Sequence, residues 1–209
     1  VDQHLSDYLY SNKETWYDIT KKHWEKSEGS DKGMLGGNIE LHQVDVKISS
    51  ELIENYTEKK IMNTSSVLEL GAGIGRVTKS VLSKYFQQIF IVEQDPQFIE
   101  TAKRELKDLS CVKGIYRSPM QTTFNTHNDS TKEIHKSKFS VIWIQWCVEN
   151  IDDNDMVNLL VDCKNHLEEK GLIFVKENVV EDTEKVKINE IDYSRVRNDK
   201  LFKDLFKKA

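Results

Sequence analysis

Residues 66–76, SVLELGAGIGR, contain the pattern that decides the fold. The first five form a short, mostly apolar run typical of a buried strand, and the run ends in alternating glycines. A helix-type pattern follows over residues 77–86. A glycine-rich turn between a strand and a helix allows backbone N–H groups to approach a ligand closely, and the helix start adds partial positive charge. The stretch therefore predicts a cofactor-binding turn at the end of a strand.

The spacing of these glycines favours one kind of cofactor over another. The dinucleotide fingerprint needs G-x-G-x-x-G, but here the glycines read G-x-G-x-G and Arg76 stands where the third glycine belongs. The spacing resembles motif I of class I S-adenosylmethionine-dependent methyltransferases. Glu93 ends the next apolar run, 22 residues after Gly71. A carboxylate there can accept hydrogen bonds from both hydroxyls of an adenosine ribose, which supports a nucleoside cofactor of either kind.

Outward from the glycine stretch, strand and helix patterns alternate along the chain. We predict an α/β fold, a doubly wound and mostly parallel sheet, preceded by an N-terminal helical extension or lid over residues 1–60. Residues 61–209 would form the cofactor-binding core of what is a single domain overall. The predicted strands are 66–70, 89–93, 111–117, 139–146 and 172–177. The predicted helices include 12–26, 47–60 and 77–86. Three further helices are predicted: one capped by Asp95, one capped by Asp152 or Asp153 and stopped by Gly171, and one at the C-terminal end.

Composition excludes several functions. The 209 residues carry 30 Lys+Arg against 35 Asp+Glu, a net charge of −5, so no strong basic field exists to bind nucleic acid. No run of about 18 apolar residues predicts a membrane span, and the N-terminal residues do not resemble a secretory leader. The three cysteines fit no metal or disulfide pattern. His127 and His135 lie in the polar stretch 122–138, which we interpret as a solvated insertion, and we predict no metal site.

Three further segments make the resemblance more specific. They are Trp24 followed by GMLGG (33–37), GAGIGR (71–76) and VIWIQW (141–146). Together they resemble the eukaryotic protein N-terminal α-amine methyltransferases, class I enzymes that methylate the exposed α-amine of proteins beginning X-Pro-Lys. The resemblance implies S-adenosyl-L-methionine as cofactor, S-adenosyl-L-homocysteine as product, protein N-terminal peptides as partners, and action in the nucleus and cytoplasm. We expect a monomer.

The resemblance also implies the residues of a cofactor site. Gly71, Gly73 and Arg76 would form the glycine-turn side, and Glu93 would bind the ribose. Met120 and Gln121 would flank the adenine, and Gln145 would line the methionine end. The GMLGG segment would close over the cofactor from the N-terminal side.

The implied peptide site lies beside it. Trp24 and Trp146 would form an aromatic channel, although either could simply fill the core. Asn178, just past the fifth strand, would bind the peptide backbone near the amine. Asp192 and Ser194 lie in a segment, 189–195, that matches the substrate-side loop of the family, although a loop acid can also be merely solvated. Asp192 and Asn178 are the predicted catalytic residues.

Two departures from the family affect the expected chemistry. Asn150 stands where the family usually has a histidine that helps to deprotonate the amine, and an asparagine cannot act as a base near neutral pH. We place Asn150 among the peptide-binding residues and assign proton removal to Asp192 or to water. Asn189 replaces an acid that helps to hold the substrate's lysine. The family's chain also continues past residue 209 through two more sheet strands, which we expect to be missing here.

Three other functions are left open by the sequence. A small-molecule amine or carboxylate methyltransferase would use the same cofactor site, but GMLGG and WIQW count against it. A peptide-binding module that has lost efficient catalysis is kept in view by Asn150. An NAD-dependent oxidoreductase is the least favoured, because Arg76 occupies the glycine position that it needs.

Overall fold

Five parallel strands form the centre of the computed structural model, which describes residues 11–181 and 183–209. The first ten residues of the predicted extension lie outside the described residues. The sheet order is β3-β2-β1-β4-β5, and every pairing is parallel. Its strands are β1 (Ser66–Leu70), β2 (Gln88–Glu93), β3 (Val112–Arg117), β4 (Phe139–Gln145) and β5 (Leu167–Lys176). The predicted α/β class is confirmed.

The order of the strands creates the crevice that a cofactor needs. The chain moves from β1 to β2 to β3 in one direction and then returns to place β4 on the other side of β1. The carboxyl ends of β1 and β4 therefore meet at a topological switch point, where open α/β sheets bind their ligands. The glycine stretch follows β1 directly.

The sheet is buried on both faces, which explains why its strands read as continuous apolar runs. One face carries Leu68, Val92 and Ile144 and packs against residues such as Met156 and Phe202. The other face carries Val67, Ile91 and Val141 and packs against residues such as Ile53 and Leu106. The helices that cover the sheet and precede it are α1 (Lys13–Trp24), α2 (Asp31–Met34), α3 (Leu41–Glu58), α4 (Arg76–Ser80), α5 (Pro96–Leu106), α6 (Asp153–Asn165) and α7 (Asp199–Lys208).

Helix caps follow the sequence at α5 and α6. The Asp95 carboxylate accepts hydrogen bonds from the N–H groups of Gln97 and Phe98, with Pro96 in the first helical position. Of the two candidates for the next helix, Asp152 is the cap, since its carboxylate accepts the N–H of Asp155.

Two predicted helix ends are wrong. The helix expected over 77–86 ends at Ser80, and a separate 3₁₀ turn covers Leu82–Lys84. Helix α6 ends at Asn165 rather than at Gly171, because the chain joins the sheet earlier: the N–H of Phe139 bonds the carbonyl of His166, and β5 begins at the next residue.

The prediction of a solvated insertion over 122–138 is also wrong. Phe124 and Ile134 are buried in the core on one side of the sheet, and the Phe124 ring stacks on His166 with centroids 4.3 Å apart. The His135 Nε2 lies 3.0 Å from the Thr123 carbonyl oxygen and 3.1 Å from the Thr131 hydroxyl. The polar composition hid this packing, because two buried apolar residues among many polar ones make no periodic pattern.

A small hairpin that the sequence did not predict anchors the N-terminal helix. Strands β6 (Val186–Ile188) and β7 (Arg195–Arg197) pair antiparallel. Trp16 of α1 is buried against Ile188, and its indole N–H donates to the carbonyl of Tyr193 at 2.8 Å. The division of the chain at residue 60 stays a prediction. In the described part of the chain, no helix is both long enough and apolar enough to span a membrane.

Candidate active site

A cleft opens at the carboxyl ends of β1, β2 and β4, below the N-terminal helices. Its empty space, including the part that is open to solvent, is about 1070 Å³. Helix α1 contributes Trp24 to one wall, and α2 contributes Met34. All seven residues predicted for the cofactor line this cleft, as do Trp24, Trp146 and Asn150; the seven are Gly71, Gly73, Arg76, Glu93, Met120, Gln121 and Gln145.

The two glycines of the turn that line the cleft, Gly71 and Gly73, are required for steric reasons. Gly71 and Gly73 have φ of +68° and +56°, in the left-handed region that side chains rarely adopt. A Cβ on Gly71 would lie 2.7 Å from the Cys147 Sγ, and one on Gly73 would lie 2.7 Å from the Met34 Sδ. The GMLGG segment therefore lies directly on the turn, and Met34 fills the space that the missing Cβ leaves.

Glu93 is held rigidly at the end of β2. Its Oε2 accepts the N–H of Gly73 at 2.8 Å, and its Oε1 accepts the N–H groups of Gln94 and Asp95 at 2.7 and 2.8 Å. Burial raises the pKa of Glu93, and these backbone donors oppose the shift by stabilising the carboxylate. Oε1 thus has both of its acceptor sites filled, and Oε2 keeps one for a further donor, such as a ribose hydroxyl.

The chemistry of this donor set fits an adenosyl cofactor. A buried carboxylate suits a ribose diol, Met120 and Phe98 supply apolar contact for a purine, and Gln121 supplies an amide beside them. The third glycine of a dinucleotide fingerprint is absent, and Arg76, which replaces it, is 5% exposed and cannot give way to a pyrophosphate without losing its ion pair.

A buried carboxylate on α3 organises the methionine end of the cleft. The Arg76 Nη2 lies 2.8 Å from Asp45 Oδ2, Gln145 donates its side-chain N–H to Asp45 Oδ1 at 2.8 Å, and the Lys176 ammonium contacts the same oxygen. Burial works to raise the pKa of Asp45, but the hydrogen bonds from Lys176 and Arg76 outweigh it and hold that pKa below its ordinary value. Sequence reasoning missed Asp45. Its spacing of four and eight residues from the buried Ser49 and Ile53 was the available signal.

Contacts fix the orientations of Gln145, the last residue of β4, and of Trp146, which follows it. The Gln145 side-chain oxygen accepts the indole N–H of Trp143 at 3.0 Å, so both ends of its amide are bound. Trp146 has a left-handed backbone, φ +54°, which turns its ring toward the cleft. The Arg76 guanidinium lies 5.3 Å from the centroid of that ring, and the Lys176 ammonium lies 5.7 Å from it.

The tryptophans of this chain fall into two groups. Trp16 and Trp143 are almost fully buried and fill the core. Trp24 and Trp146 are only partly buried, and both line the cleft. Core filling is therefore a poor explanation for the second pair, and their assignment to a peptide channel stays a prediction.

Three predicted peptide residues lie apart from the cleft wall. Among the described residues that line the cleft, Asn178, Asp192 and Ser194 do not appear. Asp192 Oδ1 accepts hydrogen bonds from the N–H and the hydroxyl of Ser194 at 2.9 and 2.7 Å, which shapes the loop between β6 and β7. Asn178 is exposed just after β5. All three instead influence the pKa of the Glu149 carboxyl.

Glu149 and Glu177 are functional candidates that the sequence did not suggest. Glu149 is 7% exposed, and burial raises its pKa to about 7. The side chains of Asn178 and Ser194 and the charge of Arg197 act to lower that pKa, while the charge of Asp192 raises it further. Burial and the neighbouring Glu149 raise the pKa of Glu177 as well. Neither acid belongs to a recognisable motif. Within residues 11–181 and 183–209, no three His, Cys, Asp or Glu side chains are arranged to hold a metal ion.

A glycine turn facing an acid one strand away, on a sheet ordered 3-2-1-4-5, defines a class I S-adenosylmethionine-dependent methyltransferase. Among solved structures, this chain is similar to a SAM-dependent methyltransferase from Leishmania major. The two share 30% identity with a TM-score of 0.82, over 92% of this chain and 72% of that one. A phosphoethanolamine N-methyltransferase from Haemonchus contortus, 15% identical with a TM-score of 0.63, shares the fold.

The sequence comparisons identify the family. The pattern of the AdoMet dependent proline di-methyltransferases matches residues 12–209. Similar proteins include alpha N-terminal protein methyltransferase 1 of Schizosaccharomyces pombe (35% identical, over 94% of this chain and 85% of that protein) and of Arabidopsis thaliana (28%, over 95% and 72%). N-terminal Xaa-Pro-Lys N-methyltransferase 1 of Xenopus tropicalis is 27% identical over 98% of this chain and 88% of its own length. The chain belongs to the AdoMet dependent proline di-methyltransferase family.

Proposed function

We propose that this chain transfers a methyl group from S-adenosylmethionine to the α-amino group of proteins that begin X-Pro-Lys. One observation carries the proposal: the cleft that holds the glycine turn and Glu93 is also lined by the partly buried rings of Trp24 and Trp146. Aromatic rings beside a cofactor site suit a chain terminus with a proline ring at its second position. The names of the relatives agree with such a substrate.

The cofactor residues act by orientation. When bound, S-adenosylmethionine supplies a methyl carbon activated by its sulfonium. Glu93 would bind the ribose, Met120 and Gln121 would flank the adenine, and Arg76 and Gln145 would lie at the methionine end. Because Glu93 and Gln145 are each fixed by two or more hydrogen bonds, the cleft is organised before a ligand enters, and orientation supplies much of the rate enhancement.

The peptide residues have to deliver a neutral amine. An α-ammonium has a reference pKa of about 8, and its burial beside aromatic rings lowers that pKa toward neutrality. Trp24 and Trp146 would provide those rings. Asn178 and Ser194 would contact the peptide backbone, and Asp192 would orient the amine. Asn150, which lines the cleft, would lie beside it.

We further propose that the protein acts in the nucleus and the cytoplasm, as the family resemblance implies, and that it acts as a monomer. Fluorescence microscopy of the tagged full-length protein and its mass in solution test these two points.

The activity is tested by incubating Ser-Pro-Lys-Arg peptide with the protein and S-adenosylmethionine, beside the same peptide with its α-amine acetylated. We expect methyl transfer to the free peptide alone. Glu93→Gln is the matched variant, expected to lose S-adenosylhomocysteine affinity by roughly 10- to 100-fold, since it removes charged hydrogen bonds; Glu100→Gln, on the exposed face of α5, is its control. Methylation of neither peptide by a protein that still binds S-adenosylhomocysteine would favour a binding module or a small-molecule methyltransferase.

A further inference from the structure

Two neighbouring oxygens after β4 are buried without a hydrogen-bond donor. Among the described residues, neither Glu149 Oε1 nor Asn150 Oδ1 has a partner, and both atoms are shielded from solvent. A buried acceptor without a donor costs about 1–3 kcal/mol, so such atoms are rare and call for an explanation such as a catalytic role. The two belong to consecutive residues of one 3₁₀ turn, Val148–Asn150.

The turn that carries these oxygens is held from several sides. Arg197 of β7 donates to the carbonyls of Val148 and Ile151 at 3.0 and 2.6 Å. The N–H of Val148 donates to Glu177 Oε2 at 3.0 Å. These bonds fix the backbone on either side of Glu149, so its unpartnered oxygen is not the result of a loose loop.

The position of the turn connects the cleft with the loop residues described above. Asn150 lines the cleft together with Trp146. Glu149, the residue before it, interacts with Asn178, Ser194 and Asp192. Glu149 is not among the described residues that line the cleft, but it adjoins the cleft residue Asn150 in the chain and interacts with the three predicted peptide residues that the cleft wall also leaves out.

We propose that Glu149 and Asn150 together receive the α-ammonium of the substrate and that Glu149 accepts its proton. The inference rests on the proposed function. A terminal ammonium has three N–H donors, and the turn presents two acceptors that lack donors. An asparagine can orient the amine but cannot take its proton, and the adjacent carboxylate can.

One proton moves from the α-ammonium to Glu149 Oε1, which leaves a neutral amine and a neutral carboxylic acid. The nitrogen lone pair then forms the N–C bond with the methyl carbon of the cofactor, while the C–S bond breaks and its electron pair stays on sulfur. Glu149 then releases its proton to solvent, so that its carboxylate can accept the proton that the product N-methylammonium has to lose before any further transfer.

The electrostatic surroundings of Glu149 suit this task. Burial and the Asp192 carboxylate in the β6–β7 loop raise the pKa of Glu149, and Arg197 on β7 opposes them. The Glu177 carboxylate after β5 has its own pKa raised by burial and by Glu149. A carboxyl whose pKa is about 7 differs less in pKa from an α-ammonium than an ordinary glutamate does. The smaller difference in pKa reduces the free energy needed to move the proton. Asp192 is the weaker candidate, because its Oδ1 already accepts two hydrogen bonds from Ser194.

The test compares Glu149→Gln, Asn150→His and the double variant with the wild-type chain, and uses Glu58→Gln, an exposed acid at the end of α3, as control. The probe is the Ser-Pro-Lys-Arg peptide at saturating S-adenosylmethionine. The readouts are kcat and KM across pH, with S-adenosylhomocysteine affinity measured by calorimetry.

We expect Glu149→Gln to lower kcat by about 100-fold or more, to leave S-adenosylhomocysteine affinity unchanged, and to abolish the rise of kcat near pH 7. Asn150→His should restore much of the lost rate in the double variant.

Three results would overturn the inference, and one separates it from the proposed function. Glu149→Gln with wild-type kcat, Glu149→Gln with an equal loss of S-adenosylhomocysteine affinity, or a double variant without any rescue would each remove Glu149 from proton transfer. In all three cases the wild-type chain still methylates the peptide. A wild-type chain that binds S-adenosylhomocysteine but methylates no free α-amine would instead refute the proposed function, and this inference with it.

Discussion

Trp146 illustrates how single residues at this cleft depart from ordinary behaviour. Its left-handed backbone is disfavoured for a bulky side chain, and such strain is found mainly where a site fixes a side chain in place. Its neighbour Gln145 and the acid Glu93 could be identified from the sequence, because each is the last residue of a predicted strand or lies next to its end, where open α/β sheets bind their ligands. Glu149 could not, because only the folded chain shows that its carboxyl is buried beside a second acid.

Trp24→Ala tests the proposed channel at this scale. Removal of a partly buried ring from the peptide passage should raise the KM for peptide by an amount worth about 1–3 kcal/mol and change S-adenosylhomocysteine affinity much less. Steady-state kinetics with the free peptide measure the effect, and Glu25→Ala, the exposed residue that follows, is the control. An unchanged KM would remove Trp24 from the channel.

The burial of Glu149 also predicts a pH-dependent stability. A carboxyl whose pKa is raised by folding from its ordinary value, 4.5, to about 7 makes the folded state less stable as pH rises through that interval, because the folded state binds the proton more tightly than the unfolded state does. Glu149→Gln removes this cost. The variant should therefore be more stable than the wild-type chain by roughly 1–3 kcal/mol at pH 8, with the gain disappearing below about pH 4.5.

Denaturant unfolding of the two proteins across this pH range measures the difference. Glu58→Gln, in which an exposed acid is replaced, should show no such dependence. A constant difference between Glu149→Gln and the wild-type chain at every pH would show that the buried carboxyl is not the cause.

At the level of elements, α3 is attached to the sheet by charge as well as by apolar packing. Asp45 connects this helix to Arg76 at the start of α4, to Gln145 at the end of β4 and to Lys176 at the end of β5. The apolar spacing of Leu52 and Ile53 predicted this helix over residues 47–60, but the helix begins at Leu41. Its first turns are held by these long-range polar contacts, which local periodicity does not reveal.

Asp45→Asn tests that attachment. Loss of the carboxylate leaves the cations of Arg76 and Lys176 without their counter-ion, and breaking a buried ion pair typically costs about 3–5 kcal/mol. We expect a lower melting temperature and a loss of S-adenosylhomocysteine affinity, since the amide offers a single uncharged acceptor oxygen to Arg76, Lys176 and Gln145. Differential scanning calorimetry with and without the ligand measures both, and Glu51→Gln, an exposed position of the same helix, is the control. Stability equal to that of the wild-type chain would mean that apolar packing alone holds α3.

The whole molecule shows which parts of a fold local patterns can predict. The parallel sheet and its cofactor edge followed from one glycine stretch and five apolar runs, because buried parallel strands are long and continuous in hydrophobicity. The β6–β7 hairpin did not, since strands of three residues leave no period to detect. That hairpin carries the loop of Asp192 and Ser194, so the peptide side of the site was predicted by resemblance, and its arrangement around Glu149 came only from the structure.

Tandem mass spectrometry of the Ser-Pro-Lys-Arg product tests directly whether the chain methylates the α-amine. This peptide offers two amines, the α-amine of Ser and the side chain of Lys, so fragment masses locate each methyl group that the wild-type chain adds. The account predicts that every added methyl lies on the N-terminal fragment and that Glu149→Gln slows its addition. Methyl groups on the lysine side chain, or a product from the α-acetylated peptide, would contradict it.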